Sequence, residues 1–100
     1  MNEAIENVKD GKFEEGKVTV LDFYADWCGP CQRQTPIIEK IAEENQETVA
    51  VIKINVDENS DLAEKYEVES IPSIFVIKNG KVTKQFLGLT SKEELLEAIK

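Results

Sequence analysis

Histidine is absent from the 100 residues of this chain, and cysteine occurs only twice. Serine and cysteine hydrolases ordinarily take their catalytic base from histidine, so the composition disfavours that class of enzyme. A tetrahedral zinc site needs about four Cys or His ligands, and this chain offers two. We therefore predict no metal site. Two cysteines are also too few for the disulfide framework of a small secreted scaffold.

Long hydrophobic runs and an excess of basic residues are missing as well. The apolar segments are short, as at residues 74–77, and none is long enough to span a membrane. The N-terminus has no basic start and no apolar stretch, so we expect no secretory signal and a cytoplasmic location. A net charge of −8 disfavours nucleic acid as a partner. We expect one domain over residues 1–100, and a monomer.

The remaining sequence alternates between strand-like and helix-like segments. Apolar spacing and turn signals predict four helices and four strands. The helices are expected at residues 2–10, 30–45, 60–66 and from 91 onwards, and the strands at residues 18–24, 49–56, 73–78 and 82–87. A short strand at the very start of the chain is the alternative to the first helix.

The order of these elements predicts an α/β fold. A strand, a helix and a second strand in succession indicate a parallel pair joined by a crossover. Asn79 and Gly80 form a strong hairpin signal between the last two strands. Ser91 and Glu94 match a capping box that opens the final helix. We therefore expect a mixed sheet with helices on both faces.

The chemically informative segment joins the first strand to the helix that follows it. Cys28 is placed at the start of that helix, where free backbone N–H groups and the helix dipole favour a thiolate. Cys31 follows one turn later on the same face. Gly29 permits the tight turn, and Pro30 suits the first turn of a helix. The pattern indicates thiol–disulfide exchange, in which Cys28 attacks a disulfide and Cys31 resolves the mixed disulfide. A chance pair of cysteines at this spacing is the alternative.

Several segments together resemble the thioredoxin family. They are residues 20–31, 53–57, 70–73 and 78–80 and Gly88, which occur in family order and cover nearly everything from 18 to 100. Residues 1–17 match poorly, and the family's first strand is short or missing there. The resemblance implies a thioredoxin fold with a central mixed sheet of four or five strands. It also implies an oxidoreductase that reduces protein disulfides, acts in electron transport and cell redox homeostasis, and is recharged by a thioredoxin reductase using NADPH or ferredoxin. No bound cofactor is implied.

The resemblance also assigns roles to residues around the cysteines. Cys28 matches the family's exposed nucleophile, Cys31 its buried resolving thiol, and Asp22 its buried carboxylate. An aspartate within an apolar strand is costly unless it has a role or a partner, and burial would raise its pKa, making it a proton acceptor for Cys31. An Asp22 turned to solvent is the alternative. Lys53 resembles the lysine near that carboxylate, or it is an exposed strand lysine.

Further positions are implied to contact substrate. Pro72 matches the family's cis-proline, which would leave the Ile71 backbone free to pair with an extended substrate segment. Trp27 is expected to be partly exposed beside Cys28. Gly88 is expected to allow a close approach to the active-site face. Without the resemblance, these residues are a strand-start proline, a core tryptophan and a strand-end glycine.

Two positions depart from the usual pattern of the family. Gln32 follows the second cysteine where a lysine is common, and Tyr24 stands where a second tryptophan is common. These changes leave the reaction in place. Two other functions remain open: a thioredoxin-fold binding or chaperone module with dispensable redox chemistry, and a metal or iron–sulfur site shared by Cys28 and Cys31 of two chains.

Overall fold

The structure, a computed structural model, describes residues 3–100. In chain order, the elements are α1 (Glu3–Lys9), β1 (Val18–Tyr24), α2 (Gly29–Glu44), β2 (Val49–Asn55), α3 (Ser60–Lys65), β3 (Ser73–Lys78), β4 (Lys81–Leu87) and α4 (Lys92–Ile99). Within that part of the chain, no helix combines the length and the apolar character needed to cross a membrane.

The four strands form one mixed sheet in the order β2-β1-β3-β4. β1 and β2 run parallel, whereas β3 is antiparallel to both of its neighbours. The predicted parallel pair and the predicted hairpin are both confirmed. In the hairpin turn, Asn79 and Gly80 have φ angles of +52° and +77°, the conformation that a two-residue turn between twisted strands requires.

Helices cover both faces of the sheet, as the order of the elements predicts. Leu21 and Phe23 point to one face, where they pack with residues of α1 and α3. Val20 points to the other face, where it packs with residues of α2 and α4. Both faces of β1 are therefore buried, and any polar side chain at its centre is withdrawn from water.

The N-terminal segment forms a helix rather than the alternative strand. Ile5 and Val8 are the buried residues of α1, and Gly11 follows it with a φ of +69°, a left-handed conformation that suits glycine and ends the helix. Residue 2, the first position of the predicted helix, lies outside the described residues. Among residues 3–17 the structure has no strand, in agreement with the poor match of this segment to the family's first strand.

The strand register brings three chain segments together at the end of the sheet where β1 and β4 finish and β3 begins. Phe23, near the end of β1, lies opposite Ser73 at the start of β3. Ser73 in turn lies opposite Leu87 at the end of β4. The segment that precedes β3 and the segment that follows β4 therefore lie next to the junction of β1 and α2, which carries both cysteines.

Candidate active site

Cys28 is the N-cap residue of α2, and its sulfur accepts a hydrogen bond from the backbone N–H of Cys31 at 3.2 Å. This contact satisfies one of the free N–H groups at the helix start. The two cysteines form a disulfide, with their Cα atoms 5.2 Å apart. Pro30 occupies the first turn of the helix, as predicted. A negative charge on the Cys28 sulfur is favoured here by the same N–H group and by the helix dipole.

The expectation that Cys28 is exposed is wrong for this disulfide state. Cys28 exposes 5% of its surface and Cys31 exposes 2%. Cys28 is covered because it packs with Ala25 and Cys31, and because its sulfur lies 3.8 Å from the carbonyl oxygen of Ile71. The two cysteines therefore differ little in exposure, and the backbone at Ile71 covers one side of the Cys28 sulfur.

Asp22 is buried at the centre of β1, with 1% of its surface exposed, so the alternative of a solvent-facing side chain is excluded. Neither of its carboxylate oxygens has a hydrogen-bond partner within the described residues. Burial raises the pKa of Asp22 to about 6, although the positive charge of Lys53 opposes the shift. Asp22 therefore takes up and releases a proton just below neutral pH.

Lys53 lies opposite Asp22 in the strand register, but its ammonium has other partners. It donates a hydrogen bond to the hydroxyl of Thr35 at 3.0 Å and lies 4.4 Å from the ring centroid of Tyr24. The Thr35 hydroxyl in turn donates to the carbonyl oxygen of Cys31 at 3.1 Å. Lys53 is half-buried, so it is not the exposed strand lysine of the alternative interpretation.

Ile71, Pro72 and Gly88 form a wall beside the cysteines. The Ile71–Pro72 peptide bond is cis, and the backbone N–H of Gly88 donates to the Pro72 carbonyl at 2.8 Å. The expected reason for glycine at position 88 is wrong. A Cβ atom there would meet no heavy atom within 4 Å, but the φ angle of +84° is one that side chains disfavour. The backbone conformation, rather than a close approach, accounts for glycine.

Trp27 is exposed beside Cys28, as predicted, with 71% of its surface accessible. Its indole Nε1–H donates to the carboxylate of Asp57 at 2.8 Å. The tryptophan ring is thus fixed at its polar edge while its apolar faces remain open. A separate contact is made by Gln32, which stands where a lysine is common in the family. Its side chain donates to the Asp26 carbonyl at 3.0 Å and connects α2 to the preceding turn.

Three side chains in this region were missed by the sequence reasoning. Asp57 was named only within the segment 53–57, and neither Thr35 nor Gln34 was singled out. Gln34 could have been found, because its spacing places it on the buried stripe of α2 between Cys31 and Ile38. Thr35 and Asp57 have no such local signal.

The arrangement combines the parts that thiol–disulfide exchange requires. A disulfide-forming pair lies at a helix start, a buried carboxyl with a raised pKa lies on the strand that leads into that helix, and an exposed tryptophan lies next to the first cysteine. Among residues 3–100, no group of three or more His, Cys, Asp or Glu side chains could hold a metal ion. The cysteine pair is suited to thiol–disulfide exchange, and the carboxyl is suited to accepting a proton.

Comparisons with known proteins agree with this chemistry. The family model described as Thioredoxin matches residues 4–100. The chain is similar to a thioredoxin of Rickettsia conorii, with 44% identity over 98 residues that cover 93% of each chain. It is also similar to a thioredoxin of Staphylococcus aureus, with 39% identity over 96% of this chain and 95% of that one. A solved structure of a mutant thioredoxin from Halobacterium salinarum superposes with a TM-score of 0.78 and 40% identity, covering 85% of this chain and 74% of that one.

Proposed function

Because this chain belongs to the thioredoxin family and is a thiol–disulfide oxidoreductase, we propose that it serves as a general reductant of protein disulfides. The observation that carries the proposal is the Cys28–Cys31 disulfide at the N-terminus of α2, where the Cys28 sulfur accepts the Cys31 N–H. That placement favours the thiolate that the reaction needs.

In the first step, the Cys28 thiolate of the reduced protein attacks one sulfur of a substrate disulfide. A bond forms between the Cys28 sulfur and that substrate sulfur, and the second substrate sulfur leaves as a thiolate. The hydrogen bond from the Cys31 N–H and the dipole of α2 stabilise the attacking anion. The product is a mixed disulfide between Cys28 and the substrate.

In the second step, Asp22 accepts the proton of the Cys31 thiol, directly or through water. The Cys31 thiolate attacks the Cys28 sulfur, the mixed disulfide breaks, and the substrate sulfur bound to Cys28 leaves reduced. Two electrons have then passed from the protein to the substrate, and Cys28 and Cys31 are joined. With a pKa of about 6, Asp22 is mostly ionised at neutral pH and ready to accept the proton.

The substrate-binding surface in this proposal is the rim of the site. Trp27 offers an exposed apolar ring, and the backbone of Ile71, which precedes the cis-proline, offers polar groups to an extended substrate segment. Gly88 supports this wall through its hydrogen bond to Pro72. Gly29 and Pro30 shape the turn between the cysteines. The positive charge of Lys53 lowers the pKa of Asp22.

The protein must be reduced again after each turnover. We assign this step to a thioredoxin reductase, using NADPH or ferredoxin, because the chain itself is expected to bind no cofactor. Residues 1–100 would act as a single domain and a monomer that carries electrons from the reductase to protein substrates. The proposed setting is the cytoplasm, where such a protein maintains reduced thiols.

Reduction of insulin disulfides by limiting dithiothreitol tests the proposal. Catalytic amounts of the native chain should accelerate the reaction, Cys28→Ser should not, and the exposed control Val82→Ala should match the native chain. No acceleration by folded, reduced native protein would contradict general reductase activity. If the cellular function of the protein is retained after both cysteines are replaced by serine, the chain is instead a binding or chaperone module.

A further inference from the structure

Gln34 is a fully buried polar residue in the second turn of α2, one turn after Cys31, and it exposes 0% of its surface. Its neighbours on the buried stripe of α2, Ile38 and Ile41, are apolar. A buried side-chain amide is unfavourable unless its donor and acceptor are both satisfied. The contacts that satisfy Gln34 therefore indicate what the residue does.

Both ends of the Gln34 amide bind the backbone of one residue, Thr90. The side-chain nitrogen donates to the Thr90 carbonyl at 3.0 Å, and the side-chain oxygen accepts from the Thr90 N–H at 2.7 Å. Thr90 is itself buried and belongs to the short segment between β4 and α4. An apolar side chain could fill the same space, but it would leave both backbone groups of Thr90 without these partners.

The hydrogen bonds continue from Thr90 to the substrate-facing wall. The Thr90 hydroxyl donates to the Gly88 carbonyl at 2.9 Å, and the Gly88 N–H donates to the Pro72 carbonyl at 2.8 Å. Beside Pro72, the Ile71 carbonyl lies 3.8 Å from the Cys28 sulfur. An unbroken series of contacts thus leads from the interior of α2 to the wall of the active site.

The segment that this series holds lies outside the helices and strands. Gly88 has a left-handed backbone with a φ of +84°, and Leu89 exposes 49% of its surface. A segment outside helices and strands depends for its order on the few side-chain and backbone contacts that it makes. We propose that Gln34 is a positioning residue, which orders residues 88–90 and thereby sets the affinity of the active-site wall for protein disulfides. This inference rests on the proposed disulfide reductase function.

The proposal separates recognition from sulfur chemistry. A protein substrate must contact the wall, whereas a small aromatic disulfide reacts with the Cys28 sulfur alone. If Gln34 orders the wall, its loss lowers the fraction of molecules that are competent to bind a protein, and the KM rises in proportion. The kcat and the rate with a small disulfide should stay the same.

Gln34→Met is the principal variant, because methionine is similar in length and unbranched but forms neither hydrogen bond. We expect the KM for insulin to rise about fivefold, as it does if about one molecule in five keeps the wall ordered. The kcat, and the rate of the reduced protein with 5,5′-dithiobis(2-nitrobenzoate), should remain within a factor of about two of native. Thr90→Val removes only the hydroxyl contact to Gly88 and should raise the KM about twofold.

Ile54→Val is the matched control, since Ile54 is buried on the opposite face of the sheet and loses one methylene group. It should leave the KM native. Amide hydrogen exchange gives a readout that needs no substrate: the Gly88 and Thr90 amides should exchange faster in Gln34→Met, while amides in β1 and β3 change no more than in Ile54→Val.

A native KM for Gln34→Met would overturn the proposal, and so would unchanged exchange at Gly88 and Thr90. A parallel loss of rate with the small disulfide would also overturn it, because Gln34 would then act on the cysteines. If the native chain fails to reduce insulin, the reductase function fails first. Exchange at Gly88 and Thr90 would still decide whether Gln34 orders the segment.

Discussion

Lys53 faces Asp22 across the parallel strands β1 and β2, yet its ammonium donates to Thr35, and the carboxylate of Asp22 has no hydrogen-bond partner among the described residues. The lysine therefore acts on the aspartate through its charge alone. This charge lowers the pKa of Asp22, against the larger upward effect of burial.

Replacing Lys53 by methionine should raise the pKa of Asp22 further above its ordinary value. This increase is expected because the positive charge of Lys53 favours the ionised form of the buried carboxyl. Titration of the Asp22 carboxyl by ¹³C NMR measures it. Lys92→Met, which removes a lysine paired with Glu44 on the outer surface, is the control and should leave the pKa native. An unchanged or lower pKa in Lys53→Met would contradict this electrostatic role.

Asp22→Asn should make the protein more stable at neutral pH. The carboxyl has a pKa of about 6 in the folded protein, against an ordinary value of 3.8 that represents the unfolded chain. Between these pH values the folded protein holds the extra proton, so native stability falls as pH rises through this window. The Asp22→Asn variant has no such pH dependence. Above pH 6 its free energy of unfolding should exceed that of the native protein by about 2–3 kcal/mol.

Urea denaturation at several pH values measures this difference. The native and Asp22→Asn curves of unfolding free energy should converge toward pH 4 and separate toward pH 7. The same variant should slow insulin reduction roughly 10- to 100-fold, at or below the low end of what a general base contributes. Parallel stability curves across the whole range would show that Asp22 does not titrate in the folded protein as described.

Cys31→Ser should stop the reaction after its first step. The Cys28 thiolate can still attack a substrate disulfide, but no thiol is present to resolve the mixed disulfide. Mass spectrometry after mixing with insulin should detect a covalent adduct that dithiothreitol releases. Cys28→Ser should form less of this adduct, and an equal yield from the two variants would contradict the assignment of Cys28 as the attacking cysteine.

Ser91→Ala should destabilise the protein without affecting redox chemistry. The Ser91 hydroxyl accepts from the Glu94 N–H at 3.2 Å, and the Glu94 carboxylate accepts from the Ser91 N–H at 3.3 Å. Loss of such a cap costs about 1 kcal/mol. Thermal unfolding should show a lower Tm, and Gln46→Ala, at an exposed position between α2 and β2, should show no comparable change. A native Tm for Ser91→Ala would mean that α4 does not depend on this cap.

Features that depend on near neighbours in the chain were predictable from the sequence. β3 begins at Ser73 and ends at Lys78 as predicted, because its apolar run is bounded by a proline and a turn. The capping box at Ser91 and the hairpin turn at Asn79 were also predictable, since each is defined by residues at most three apart. The Cys28–Cys31 pair was predictable for the same reason, because the two residues are three positions apart.

Contacts between distant residues were not predictable from these patterns. The Trp27–Asp57 hydrogen bond spans 30 positions and the Gln34–Thr90 pair spans 56. No periodicity or spacing encodes such a pair, because it depends on how elements pack after the sheet has formed. The low exposure of Cys28 has the same origin, since the Ile71 segment that covers it lies 43 residues away.

The hydrogen bond between the Trp27 indole and Asp57 has a consequence for docking. A free, exposed tryptophan samples several rotamers, and a partner that fixes one of them opposes the conformational entropy of the others. Here the polar edge of the ring is already held at 2.8 Å, while 71% of the residue's surface stays open. The rotamer freedom of this side chain is therefore lost when the chain folds, and each arriving partner meets a surface whose shape is already set.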